Sequence, residues 1–139
     1  MAKDSRLPRA KACQAPYRLV ILKFMSDSAT LPIIEKTYQV YKQLVALNTK
    51  IEKVQRYGLG TGTEQSVLNL LDMLFTAQHA PKSHKAAYLL KAQAQLDTLR
   101  LKFRLYLELK LANETKIFQA QADLQEIGRM LGGWLKSVT

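Results

Sequence analysis

Leu99–Leu111 reads LRLKFRLYLELKL, and its spacing decides what this chain folds into. At about 100° per residue on a helix, Leu99, Phe103, Tyr106 and Leu107 fill one broad face. Leu101, Leu105 and Leu109 fall on a second face roughly opposite. Extended back to His84, the same helix adds Tyr88, Leu89 and Leu96 to the first face and Leu90 to the second. Arg100 and Arg104 lie between the two faces on one side, Lys91 and Lys102 on the other. A helix on the outside of a monomeric bundle needs a single apolar stripe. A second stripe is an exposed hydrophobic patch unless another chain covers it. The pattern therefore predicts a helix over residues 84–111 and a homo-oligomer whose subunit contacts use it. Coverage of the second patch by the N-terminal segment is the alternative.

Outward from this stretch, three more helices are expected. The first begins at Pro32, because proline is tolerated in the first helical turn, and runs to Gln55 with Ile34, Tyr38, Tyr41, Val45, Ile51 and Val54 as its apolar positions. Tyr57–Gly62 (YGLGTG) breaks it. A phosphate-cradling loop follows a strand and leads into a helix with a Lys-Ser/Thr pair; here a helix precedes and no such lysine follows. The expectation is a glycine C-cap followed by a capping box of Thr61 and Glu64. The second helix, residues 63–78, carries Val67, Leu68, Leu70, Leu71, Leu74 and Phe75. Pro81 stops it, and Ser83 is the expected cap of the long third helix. Asn113 is the expected cap of the last, Glu114–Lys136, whose inward positions are Ile117, Leu124, Ile127, Leu131 and Trp134. Four helices with short connections make an antiparallel four-helix bundle.

The end of that last helix, Glu126–Lys136 (EIGRMLGGWLK), holds the only tryptophan and three of the six glycines. Glycine costs about 1 kcal/mol relative to alanine inside a helix. Gly128, Gly132 and Gly133 therefore suggest close packing against the backbone; a helix that frays at Gly132–Gly133, with Trp134 as a core plug, is the alternative. Trp134 and Leu131 continue the inward stripe, while Arg129, Gly133 and Lys136 point outward.

Composition narrows the class. At 139 residues the chain is one domain in length. The single Cys13 cannot make an internal disulfide, which fits a reducing, cytoplasmic setting. No apolar run approaches the roughly 20 residues that span a bilayer. Tyr17–Met25 (YRLVILKFM) is interrupted by Arg18 and Lys23 and lacks a small-residue cleavage site, which argues against a signal peptide. The net charge is +10. Residues 1–24 hold six basic groups and one acid and read as a flexible basic extension, with residues 25–139 as the bundle domain and Met25 as a candidate start. The excess charge favours polyanionic partners, nucleic acid first and an anionic membrane surface second.

Catalytic chemistry has no foothold in the pattern. No nucleophile–base pair or carboxylate dyad stands out, and nothing calls for a cofactor. His79 and His84 straddle a turn without the i, i+4 spacing and further ligands that a metal pair needs. The reading is a non-enzymatic protein.

Four stretches carry a resemblance: LPIIEKTYQVYKQLV (Leu31–Val45), RYGLGTGTEQSVLNLLDML (Arg56–Leu74), LRLKFRLYLELKL (Leu99–Leu111) and EIGRMLGGWLKS (Glu126–Ser137). In these the chain resembles the accessory variability determinant (Avd) proteins of diversity-generating retroelements. Those are related to four-helix-bundle proteins encoded in ribosomal RNA intervening sequences, and the intervening-sequence type, without a reverse-transcriptase partner, stays open as the alternative. The resemblance implies a bundle that assembles into a pentameric ring, binds the retroelement's reverse transcriptase, contacts template-repeat RNA or cDNA, and supports mutagenic retrohoming. Basic side chains nominated for nucleic-acid or partner contact are Arg56, Lys91, Arg100, Lys102, Arg104, Arg129 and Lys136. No family motif singles out any one of them.

Overall fold

The structure, a computed structural model, describes residues 31–139. The basic extension, its boundary at residues 24–25 and any cover that segment gives the third helix lie outside the described residues. Among the described residues there are four long helices and no strand. They are α1 (Pro32–Asn48), α2 (Thr61–His79), α3 (Lys82–Glu108) and α4 (Glu114–Val138). α1 packs on α2 and α4, and α3 packs on α2 and α4, so consecutive helices are neighbours around one core. Val40, Leu44, Leu70, Leu74, Leu99, Phe103, Ile117, Leu124 and Leu131 are fully shielded from solvent within it.

The first helix ends at Asn48, seven residues earlier than its periodicity suggests. Asn48 is buried and serves as a junction. Its Nδ2 donates to the Gly60 carbonyl at 3.0 Å and to Glu64 Oε2 at 2.7 Å, and its Oδ1 accepts from the Tyr106 hydroxyl. The carbonyls left open at the helix end are taken up by Arg56. Its Nε donates to Asn48 O at 3.1 Å, and its Nη2 donates to Thr49 O at 2.8 Å and Ile51 O at 3.4 Å.

The expected glycine cap and capping box do not form. A helical turn at Lys53–Gln55 runs through a π-helical turn, Arg56–Gly60, directly into α2. No glycine has positive φ, and Thr61 already has helical dihedrals (φ −61, ψ −42). Thr61 Oγ1 donates to Arg56 O, and the Glu64 carboxylate serves Asn48. Position 60 is closely approached: an added Cβ would lie 3.2 Å from Asn48 Cγ, a tight contact.

α3 starts without the expected Ser83 cap. Ser83 Oγ pairs with His84 Nδ1, and Lys85 Nζ instead closes the preceding helix by donating to Ala77 O and Gln78 O, each at 2.8 Å. α3 stops short of Leu111 because Lys110 adopts φ 53. The Leu111 N–H reaches Tyr106 O, and the Lys110 N–H reaches Leu107 O, which is the Schellman arrangement built on a left-handed residue. Asn113 caps α4 as expected, its side chain accepting from the Lys116 N–H. Trp134 is only half-buried, so the core of α4 ends at Leu131 rather than continuing to the indole.

Candidate polyanion and subunit-contact surfaces

Two populations of side chains on this bundle are not used up by its core. The first is apolar. On α3, Leu89, Leu96, Leu99, Phe103 and Tyr106 are buried, whereas Leu90 is 54%, Leu101 63%, Leu105 38% and Leu109 48% exposed. The second leucine face read from the spacing is therefore a real outward row. A further set, not anticipated as exposed, consists of Tyr38 on α1 with Leu68 and Phe75 on α2. Helical spacing alone did not separate these from the true core of those helices, since Val40, Leu70 and Leu74 lie only one or two positions away.

The second population is cationic, and the nominated residues divide by what they already do. Arg56 and Lys102 are half-buried and committed to main-chain work. Arg56 closes α1, and Lys102 Nζ reaches from α3 to Gly62 O and Ser66 Oγ of α2. Arg100, Arg104 and Arg129 are exposed and each leans on a carboxylate of its own helix: Asp97 at 3.4 Å, Glu108 at 2.8 Å and Glu126 at 2.5 Å respectively. Hydrogen bonding to Glu126, reinforced by its charge, holds the Arg129 guanidinium above its usual range. Surface pairs of this kind contribute about 0–1 kcal/mol, so these guanidiniums are easily redirected. Lys91 and Lys136 are exposed and have no carboxylate partner among the described residues; Lys91 Nζ sits 5.7 Å from the Tyr88 ring centre.

Arg100 also explains one glycine. Its guanidinium lies directly over Gly128 of α4, in the space a Cβ would occupy, with Leu96 Cδ2 alongside at 3.3 Å. Gly128 is thus the notch that lets α3 and α4 approach and carries an arginine across their junction. Gly132 and Gly133 meet nothing within 4 Å. Among the described residues, the close packing expected of all three glycines occurs only at the first.

Cations missed by spacing alone are Lys50 and Lys53, exposed beside the π-helical turn, and Lys110 and Lys116 at the same end of the bundle. None has a carboxylate partner among the described residues. Among the described residues, the one ion pair joining different helices is Lys36–Asp123, between α1 and α4, at 3.4 Å. His79 and His84 line an open apolar depression with Phe75, Pro81 and Tyr88, and no group of three or more metal-ligating side chains occurs among the described residues. None of the helices described is long and apolar enough to cross a membrane.

Four packed helices with an outward leucine row and exposed cations define the class as an all-helical bundle protein. Over residues 31–138 the sequence matches the bAvd-like family, and the chain belongs to that family. The family is one of accessory, non-catalytic proteins. No curated protein matches the chain.

Proposed function

We propose that this protein is a non-catalytic accessory subunit of a diversity-generating retroelement. In this reading it acts in the cytoplasm as a basic oligomer that binds the reverse transcriptase and holds template RNA or cDNA to support mutagenic retrohoming. The observation that carries the reading is the outward leucine row of α3, bordered by Arg100 and Arg104, in a chain of the bAvd-like family. A row of apolar side chains needs a covering surface, and the arginines beside it would line whatever the assembly encloses. The separate apolar set on α1 and α2 supports a ring. Two different patches on one subunit suit a heterologous contact, which closes into a ring when the rotation per subunit allows it. Five subunits is the number the family resemblance implies.

Contacts from Lys and Arg to phosphate release counterions, so RNA binding would fall steeply with salt. The test is a titration of fluorescent single-stranded RNA with the purified oligomer. Raising salt from about 50 to 200 mM should weaken binding by orders of magnitude. Co-purification with a retroelement reverse transcriptase should survive nuclease treatment if the protein contact is direct. Salt-insensitive RNA binding, or no association with that enzyme, would overturn the proposal.

A further inference from the structure

The end of the bundle where α1 passes into α2 carries an arrangement that neither core packing nor assembly through α3 uses. Tyr57 sits on the π-helical turn with 69% of its surface exposed, and Val54, one turn earlier, is 75% exposed. Next to the tyrosine, Gly58 has nothing within 4 Å of where a Cβ would stand. Lys50 and Lys53 are exposed on the same short connection, with Glu52 as its one exposed acid. The turn itself is firmly held. Arg56 is tied to three carbonyls of the α1 end, and Asn48 is tied to Gly60 O. π-helical turns are uncommon and frequently sit at functional sites. An anchored turn that leaves an aromatic ring in solvent on the same connection as two exposed lysines has spent its order on presentation rather than on burial.

From this we infer that Tyr57 is a stacking platform for a base of single-stranded nucleic acid, with Lys50 and Lys53 taking the flanking phosphates. Unpaired bases stack on exposed aromatic rings with little sequence preference, while cations track the backbone. Arg56 is not assigned a phosphate, because its Nε and Nη2 are committed to the carbonyls of Asn48, Thr49 and Ile51. The inference rests on the proposed RNA- or cDNA-binding role and gives it a location and a strand preference: single strands over duplex, since a base inside a duplex offers no free face.

The test uses the full chain and fluorescence anisotropy with a uridine-rich single strand of about ten nucleotides, and a duplex of equal length. Tyr57→Ala should weaken single-strand binding about tenfold and leave duplex binding unchanged, whereas Tyr57→Phe should bind the single strand like the wild type. Lys53→Ala should reduce the slope of log affinity against log salt by about one phosphate contact. Helical circular dichroism and oligomer size, measured on each variant, confirm that the fold persists. If wild type binds the strand and Tyr57→Ala binds it equally well, or loses strand and duplex alike, the stacking assignment is wrong while the broader proposal stands. If Tyr57→Ala keeps RNA binding but loses the reverse transcriptase, the ring is a protein contact and the assignment is likewise overturned. Absence of RNA binding by wild type would remove both.

Discussion

The Tyr106 hydroxyl of α3 donates to Asn48 Oδ1 at the end of α1, a 2.5 Å hydrogen bond that closes 58 positions of chain. The same asparagine holds Gly60 and Glu64, so α1, the π-helical turn, α2 and α3 meet at one buried amide. Asn48→Ala strands the Tyr106 hydroxyl and the Gly60 carbonyl, and should destabilise the bundle by about 2–3 kcal/mol. Tyr106→Phe removes one donor and should cost about 1 kcal/mol. Urea unfolding followed by circular dichroism measures both.

Burial pushes the Tyr106 hydroxyl above its ordinary value of 10.0, with the Thr63 and Asn48 side chains pulling the other way. Its folded-state pKa is therefore the higher one. Above pH 10 the unfolded chain loses this proton first and the folded chain keeps it, so stability falls as pH rises through the folded value. Below pH 10 the contribution is fully present. Wild type should lose stability across this alkaline window more steeply than Tyr106→Phe, compared by urea midpoints at each pH.

Lys110 holds the left-handed position that ends α3. A left-handed conformation costs a non-glycine residue about 1 kcal/mol, so Lys110→Gly should raise the melting temperature by a few degrees. Failure to stabilise would mean that the lysine side chain contributes more at this end than its exposure suggests.

Gly132 and Gly133 lie in open space within the chain, whereas Gly128 lies under Arg100. Ala at position 132 should stabilise a dissociated subunit by about 0.5–1 kcal/mol through helix propensity. If the glycine instead serves close approach of a neighbouring subunit, the same variant should weaken assembly. Thermal melts and light scattering across a concentration series separate the two effects. At position 128, leucine displaces the flexible Arg100 guanidinium at little cost, so any destabilisation should come from its contact with Leu96.

Leu101→Glu with Leu105→Glu places charge in the outward row of α3 without touching the core, since both side chains are exposed. The double variant should keep its helical spectrum and elute as a monomer, against a ring for wild type. Unchanged assembly would remove α3 from the subunit contact.

The four helices, the Asn113 cap and the second leucine face of α3 were all legible in the residues, because each depends on neighbours within a turn or two. Trp134 and the stretch after Asn48 were misjudged for the opposite reason. Periodicity continues past Asn48 through Ile51 and Val54, and nothing local says that the asparagine amide will be drawn inward by Tyr106 and Gly60. Trp134 fits the inward spacing of α4, but α4 there has passed the end of the core it packs on. The basic residues show the same division. Sequence supplied the charges, while their availability depends on partners such as Gly62 O for Lys102 or the α1 carbonyls for Arg56, which lie on other elements.

Sequence alone therefore determined the helical class, the order of the elements and the presence of an apolar surplus on α3, since helical period, charge and capping are written in short-range spacing. Tertiary structure decided where α1 stops, how closely Gly60 and Gly128 are approached by other elements, and which cations are free to meet a partner. Those outcomes depend on the rotation and approach of one helix against another, and that is fixed by contacts between residues far apart in the chain.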